Sequence, residues 1–229
     1  MKKFVPVYEG ELRKHSLQVP RCISECSGIR VFGRRIKSLV FSTDVAIIKN
    51  INADAVIAVY PFTPQQIIAD AIVSTSSLPV FCGVGGGTTT GARVVMLAKD
   101  AEAFGAMAVV VNAPTTNDVI AQIADIIDIP IVVTVLDENT DIDARLEAGA
   151  TIFNVSAAAR TPEVVRILRE RYPDLPIIAT GGPSKESIRE TVAAGANAIS
   201  FTPPTAEELF HGLMTRYRNE HESKTKGEA

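Results

Sequence analysis

A regular alternation of short apolar runs with segments of helical period constrains this chain more than any other feature of its sequence. From about residue 36, eight apolar runs of four to eight residues are bounded by turn signals, which is typical of strands buried on both faces of a sheet. The predicted strands are Ile36–Ser42, Ala55–Tyr60, Pro79–Gly83, Met107–Asn112, Ile131–Leu136, Thr151–Val155, Ile177–Thr180 and Ala198–Thr202. The predicted helices are Val45–Ile51, Pro64–Thr75, Ala92–Phe104, Asn117–Ile127, Ile142–Glu147, Pro162–Tyr172, Lys185–Ala194 and Ala206–Tyr217.

This alternation predicts an α/β fold with a parallel sheet, because each strand is followed by a helix that can return the chain to the same end. Eight such units favour a single-domain (β/α)8 TIM barrel, and a doubly wound open sheet is the structural alternative. A chain of 229 residues with 46% hydrophobic residues is sufficient for one such barrel. We interpret residues 1–35 as an N-terminal cap segment, residues 36–218 as the barrel and residues 219–229 as a disordered polar tail.

Composition and charge exclude several classes of partner. The net charge is −3 and no basic stripe is visible, which argues against nucleic-acid binding. No apolar run reaches the roughly 20 residues of a membrane span, and the first residues lack the apolar run of a signal peptide. The three cysteines are scattered without a second ligand pair, which favours a reducing compartment over a zinc site. We expect a cytoplasmic protein with no membrane partner, and these features are compatible with a homo-oligomer.

The turns after the seventh and eighth predicted strands are the most specific functional signal. Active sites of parallel barrels lie at the carboxyl ends of the strands, and phosphate sites recur after strands seven and eight. Gly181 and Gly182 follow strand seven directly before a helix, so their amides could approach an anion closely. Thr202 and Thr205 follow strand eight and complete this predicted site for a phosphate or sulfate ion. The alternative is that the two glycines only form a tight turn, and Pro203-Pro204 removes two donors.

A second glycine-rich segment, Gly83 to Gly91, follows the third predicted strand. Gly85, Gly86 and Gly87 precede three threonines and could bind a second phosphate or close as a lid. The segment lacks the Gly-Lys-Ser/Thr ending of a nucleotide P-loop. A mobile surface turn is the alternative interpretation. Other polar residues at strand ends are predicted to contact the substrate, namely Asn112, Asn154, Thr180 and Thr88.

Two aspartates are the candidates for acid–base chemistry. Asp44 follows the first predicted strand and Asp137 the fifth, so a closed barrel would place them on opposite sides of its mouth. Both could instead cap the helices that follow them, and Glu138 is a weaker substitute. Histidine and lysine are missing from the strand ends, which disfavours Cys–His, Ser–His and lysine Schiff-base chemistry. The sequence shows no pattern of metal ligands, so no metal is predicted.

The two glycine turns resemble those of the ribulose-phosphate-binding barrel superfamily. Val84-Gly85-Gly86-Gly87 and Thr180-Gly181-Gly182 look like the paired phosphate-binding turns of two histidine-biosynthesis barrels, whose catalytic aspartates correspond to Asp44 and Asp137. The family's glycine-rich turns after strands four and eight are replaced by Asn112-Ala113-Pro114 and Thr202-Pro203-Pro204, which counts against a doubly phosphorylated substrate. The chain also resembles uncharacterised bacterial barrels loosely labelled hydrolases, chiefly at Tyr60–Pro64 and Cys82–Gly87.

These observations lead to an enzyme that acts on a small phosphorylated metabolite as an isomerase, epimerase or lyase, using carboxylate acid–base chemistry. The sequence leaves three alternatives open. An FMN-dependent oxidoreductase could hold the flavin phosphate at the seventh turn, although no cofactor is required by the leading hypothesis. The hydrolase label is a second alternative, and a non-catalytic sensor of a phosphorylated metabolite is the third.

Overall fold

The computed structural model describes residues 4–8, 10 and 16–227 of the chain. A 3-10 helix at Arg21–Glu25 precedes a hairpin formed by β1 (Ile29–Val31) and β2 (Arg34–Ile36). The strands that follow are β3 (Ser38–Phe41), β4 (Ala55–Ala58), β5 (Val80–Gly85), β6 (Ala108–Val111), β7 (Ile131–Val135), β8 (Ile152–Val155), β9 (Ile177–Thr180) and β10 (Ala198–Phe201). The helices are α1 (Val45–Lys49), α2 (Gln66–Thr75), α3 (Ala92–Ala103), α4 (Asn117–Ala124), α5 (Ile142–Glu147), α6 (Thr161–Arg171), α7 (Lys185–Ala193) and α8 (Ala206–Gly227).

The strands β3 to β10 form one closed parallel barrel, and β10 pairs with β3 to complete it. This confirms the predicted single-domain (β/α)8 TIM barrel and excludes the open sheet. The predicted strands one to eight correspond to β3 to β10. Within the part of the chain that the structure describes, no helix has both the length and the apolar character that a membrane crossing requires.

Side chains of the strands alternate between two apolar cores. One core lies between the strands and the surrounding helices, and the other fills the barrel interior. Because successive side chains of a strand point to opposite faces, a residue two positions after an interior residue also faces inward. The interior core contains Leu39, Phe81, Val132 and Ile178 among others.

The hairpin covers the amino-terminal end of the barrel. Val31 and Ile36 are buried and belong to the interior core. Ile36 had been predicted to begin the first barrel strand, but it ends β2, and the barrel begins at Ser38. The apolar run there joins two strands, which periodicity alone does not separate. The predicted cap also included residues 1–3, 9 and 11–15, which lie outside the described residues.

The last helix is longer than the sequence indicated. α8 continues to Gly227, through most of the range 219–229 that was predicted to be a disordered tail, and residues 228–229 lie outside the described residues. No glycine or proline interrupts the chain between Gly212 and Gly227, so nothing in the backbone chemistry ends the helix earlier.

Candidate functional site

A cavity of about 220 Å³ opens at the mouth of the barrel, beside the carboxyl ends of β4, β5 and β6. This is the end at which TIM barrels carry their active sites. Four of the predicted site residues line this mouth cavity together, namely Gly85, Gly87, Thr88 and Asn112. The other lining residues are Val59, Tyr60, Pro61, Phe62, Pro64, Gly83, Thr89 and Val110.

The glycine-rich loop, residues 85–91, is a tight turn with a defined hydrogen-bond pattern. The amide of Gly86 donates to the carbonyl of Thr89 at 2.8 Å, and the amide of Asn112 donates to the carbonyl of Gly85 at 2.9 Å. Among the residues that the structure describes, the amides of Gly87 and Thr88 have no hydrogen-bond partner. The loop therefore presents unpaired donors beside the cavity.

Gly86 is required at its position by two independent constraints. Its φ is +98°, a region that side chains other than glycine rarely adopt. A Cβ atom there would lie 1.9 Å from Oγ1 of Thr115. This Thr115 oxygen is buried and has no hydrogen-bond partner among the described residues. The loop and the segment after β6 are thus in direct contact.

Arg145 of α5 holds the segment after β6 in place through several hydrogen bonds. Its guanidinium donates to the carbonyls of Thr115 and Ala113, the latter at 3.0 Å, and to Oδ1 of Asn117 at 3.0 Å. Burial lowers the pKa of Arg145 from its usual value, but these three acceptors surround the charge. No local pattern indicates this role, because an arginine within a predicted helix is usually an exposed residue.

The three helix N-termini near the predicted phosphate sites differ in their capping. The twelve-residue helix α3 begins after Gly91 with no side-chain cap and no acidic residue in its first turn. Ser184 and Ser187 form a capping box at α7. At α8, Glu208 accepts from the Thr205 amide at 2.7 Å, and Thr205 Oγ1 accepts from the Glu208 amide at 3.1 Å. The α3 terminus is therefore the one of these three that best suits an anion.

The turn after β9 uses much of its hydrogen-bonding capacity internally. The amide of Gly181 donates to the Ser200 carbonyl at 2.9 Å. A Cβ at Gly181 would lie 2.8 Å from Cγ2 of Ile199 and 2.9 Å from Cγ1 of Ile188, so packing of α7 against the barrel explains this glycine. Gly182 is exposed, has a φ of +75°, and its amide has no partner among the described residues. Thr202, after β10, is also exposed.

Polar side chains lie on the inward face of the barrel on the four adjacent strands β7 to β10, near their carboxyl ends. Val132, Ile152, Ile178 and Ala198 belong to the interior core, so the residues two positions later also face inward. These are Thr134, Asn154, Thr180 and Ser200, on the four adjacent strands β7 to β10, and we call them the polar wall. Asn154 and Thr180 were predicted to contact substrate. Thr134 and Ser200 were missed, although the alternation along their strands could have revealed them.

The two predicted catalytic aspartates lie at the ends of β3 and β7, which are four strands apart in either direction around the barrel. Oδ1 of Asp44 accepts from the amides of Ala46 and Ile47 at 2.8 and 3.2 Å and caps α1. Oδ1 of Asp137 accepts from the Asn139 amide at 2.8 Å. In each carboxylate, Oδ2 has no hydrogen-bond partner among the described residues.

Glu138 belongs to a charged cluster with α6. Its Oε1 accepts from Arg160 at 2.8 Å, and its main-chain carbonyl accepts from Arg171 at 3.1 Å. The hydrogen bond from Arg160 lowers the pKa of the Glu138 carboxyl from its usual value. Arg160 also pairs with Glu163 at 2.9 Å. These contacts hold the loop after β7 against α6, which is a structural role.

Cys82 is buried on β5, and burial raises the pKa of its thiol to about 12. A thiol protonated at neutral pH is a poor nucleophile, so Cys82 serves as a small apolar residue. Among the described residues, no cluster of three or more histidine, cysteine, aspartate or glutamate side chains is placed to hold a metal ion.

No family model matches the chain. A thiamine-phosphate synthase from Oceanobacillus iheyensis is 28% identical over 93 residues, which are 41% of this chain and 39% of that protein. The match therefore spans about two fifths of that relative's length.

Similar solved structures cover most of the chain. A protein assigned as a phosphonomutase, from Burkholderia cenocepacia J2315, has a TM-score of 0.60 and 17% identity, over 89% of this chain and 97% of that one. A phosphonopyruvate hydrolase has a TM-score of 0.60 and 14% identity, over 92% and 88%. A 2,3-dimethylmalate lyase of the PEP mutase/isocitrate lyase superfamily has a TM-score of 0.58 and 14% identity, over 90% and 86%. At these identities the likeness concerns the fold alone.

Proposed function

We propose that this barrel is an enzyme of the lyase, isomerase or epimerase type that acts on a small phosphorylated metabolite bound at its mouth. The observation that carries the proposal is the position of the glycine-rich loop, whose Gly85, Gly87 and Thr88 line the mouth cavity. Unpaired backbone amides beside a cavity are suited to an anion, because they can donate without losing another partner. The phosphate would lie against this loop.

Two further features support a phosphate at the glycine-rich loop. The helix α3 begins directly after it, so the positive end of the helix dipole favours negative charge there. Asn112 also lines the cavity and can supply a side-chain donor. The turn after β9 is the weaker position, since the Gly181 amide is already paired. The amide of Gly182, which is unpaired among the described residues, could still give this turn a second contact with the phosphate.

The acid–base step is assigned to Asp44 and Asp137. Their opposite positions across the mouth suit removal of a proton on one side of a substrate and its return on the other. Each carboxylate caps a turn with Oδ1, which fixes its position and leaves Oδ2 for proton transfer. The names of the similar structures, which include a mutase, a hydrolase and a lyase, are in keeping with such a reaction.

Phosphate binding is tested by filling the cavity at Gly87. A Cβ at this position would lie 3.5 Å from Nδ2 of Asn112, an ordinary contact, so the Gly87→Ala variant should fold and bind normally. Gly87→Leu extends into the cavity and should weaken binding of inorganic phosphate by about tenfold or more, measured by ³¹P NMR titration. Undiminished binding by Gly87→Leu would place the anion elsewhere, and Gly182 would then be the next position to vary.

Catalysis is tested with Asp44→Asn and Asp137→Asn after a screen of phosphorylated and phosphonate substrates for turnover. Asparagine keeps the capping acceptor but cannot transfer the proton. We expect each change to lower kcat by about 10² or more. Turnover that neither substitution slows would refute the acid–base assignment.

A non-catalytic sensor is the second candidate, because the inward-facing mouth residues that the structure describes on β7 to β10 are uncharged. Phosphate-ester binding without turnover across the screen would favour the sensor over the enzyme. FMN-dependent redox chemistry is tested separately by the absorbance of the purified protein before and after addition of FMN.

A further inference from the structure

The polar wall contains a buried oxygen without a partner. Asn154 is 9% exposed, and its Oδ1 has no hydrogen-bond partner among the described residues. A buried acceptor in this state is costly, since it has lost its contact with bulk water without a replacement. Asn154 lies on the inward face of β8, and its neighbours Thr134 on β7 and Thr180 on β9 are partly exposed, so a ligand at the mouth would reach this oxygen through them.

The neighbours of Asn154 in the polar wall are also polar residues whose side chains lack hydrogen bonds to other described residues. Thr134 is its register partner on β7, and Thr180 pairs with Ser200 across β9 and β10. None of the four side chains forms a hydrogen bond with another described residue. Hydroxyl and carboxamide groups can both donate and accept, so the wall can bind several groups of one ligand at once.

The inward-facing residues near the carboxyl ends of β3, β4 and β6 are apolar. Phe41 follows Leu39 on the inward face of β3 and is 38% exposed, whereas Val59 and Val110 line the mouth cavity. The barrel interior near the mouth therefore has a polar side on β7 to β10 and an apolar side on β3, β4 and β6, while the mouth cavity itself also contains Thr88 and Asn112. A ligand that fits it carries hydroxyl groups on one face and carbon–hydrogen surface on the other.

The absence of charge on the polar wall selects against an ionic group. A carboxylate or ammonium placed against these four side chains would lose hydration without meeting an opposite charge. A hydroxyl group matches them, because it can donate to Asn154 Oδ1 and accept from a neighbouring threonine or serine.

We propose that Thr134, Asn154, Thr180 and Ser200 recognise an uncharged, hydroxyl-bearing part of the ligand, with Asn154 Oδ1 accepting a hydrogen bond from it. This inference rests on the proposed function, because it assumes that the phosphate of the same ligand lies at the glycine-rich loop. Asn154 is thus a specificity-determining residue for that ligand.

Two phosphate esters of equal charge test the polar wall. Glycerol 3-phosphate carries hydroxyl groups, whereas propyl phosphate has the same chain length without them. The wild-type protein should bind glycerol 3-phosphate about tenfold more tightly, measured by isothermal titration calorimetry. Asn154→Leu should remove this preference while leaving the affinity for propyl phosphate nearly unchanged. Thr180→Val, which keeps the side-chain shape, should reduce the preference, and Thr75→Val on the outer surface should not.

Each outcome has a defined meaning. The recognition role of the polar wall is refuted if the wild type binds both esters equally, or if the preference survives in folded Asn154→Leu. Either result leaves the proposed phosphate site intact. Binding of neither ester overturns the phosphate site, and this inference fails with it. Circular dichroism verifies folding, and if Asn154→Leu does not fold, Thr180→Val and Ser200→Ala decide the result.

Discussion

Gly86 is the position in the glycine-rich loop at which one added methyl group should have the largest effect. In Gly86→Ala, a side chain at a φ of +98° stores strain of about 1–3 kcal/mol. The new Cβ would also lie 1.9 Å from Thr115 Oγ1, so the Thr115 side chain or the backbone must shift, and such overpacking costs about 1–3 kcal/mol. The free energy of unfolding should therefore fall by about 2–6 kcal/mol.

Urea unfolding followed by circular dichroism measures this loss, and a fall of 2 kcal/mol should lower Tm by about 4–8 °C in a chain of this size. Gly87→Ala is the matched control, since its Cβ meets only Asn112 Nδ2 at 3.5 Å, and its stability should change by less than about 0.5 kcal/mol. Adding Thr115→Ala to Gly86→Ala should recover part of the steric loss, while the backbone strain and the close contacts with Asn112 N and O at 3.0 and 3.2 Å remain. Equal stability of the two glycine variants would refute this account of the loop.

Four other substitutions test separate parts of the structure. Arg145→Met removes the donors to the carbonyls of Ala113 and Thr115 and should lower the unfolding free energy by about 3 kcal/mol, with Arg145→Lys intermediate; an unchanged urea midpoint would contradict the anchoring role. Gly181→Ala places a Cβ 2.8 Å from Ile199 and should cost about 1–3 kcal/mol in the same assay, whereas a neutral result would return this glycine to an anion-binding role. Asp44→Ala removes the cap of α1 and should cost about 1 kcal/mol, while Asp44→Asn should cost little, and equal losses would argue against capping. Burial raises the Cys82 pKa from 9.0 to about 12, so the unfolded chain loses this proton first as pH rises. The stability that Cys82 contributes is complete below about pH 9 and is lost between pH 9 and 12. In this range the free energy of unfolding should fall by about 1.4 kcal/mol per pH unit. Cys82→Val should remove this contribution when unfolding is measured as a function of pH.

The periodicity of the sequence was sufficient to predict the barrel and the order of its strands. It failed at Ile36, because one apolar run contains both the end of β2 and the start of the barrel, and the break at Lys37 has no turn residue to mark it. It also failed at the last helix, because a polar composition predicts disorder there although no glycine or proline lies between Gly212 and Gly227.

The candidate site was predictable where chemistry depends on position along a strand and unpredictable where it depends on contacts between distant segments. Asn112 and the glycine-rich loop were expected at the strand ends, and both line the mouth cavity. The contact of Arg145 with Thr115 joins residues 30 positions apart and leaves no local pattern. Gly181 shows the same limit, since a glycine needed for packing and one needed for an anion are identical in a sequence.

The pairing of β10 with β3 affects when the barrel mouth forms during folding. This pairing joins Ser200 to Leu39 in register, and the Asn197 side chain reaches Ser27 at 2.8 Å across 170 positions of sequence. Contacts of such separation close late, because a long stretch of chain must first become ordered. The strand that carries Ser200 is therefore among the last to be fixed. A growing or truncated chain without this pairing could form many of the helices and still be unable to bind a ligand at the mouth.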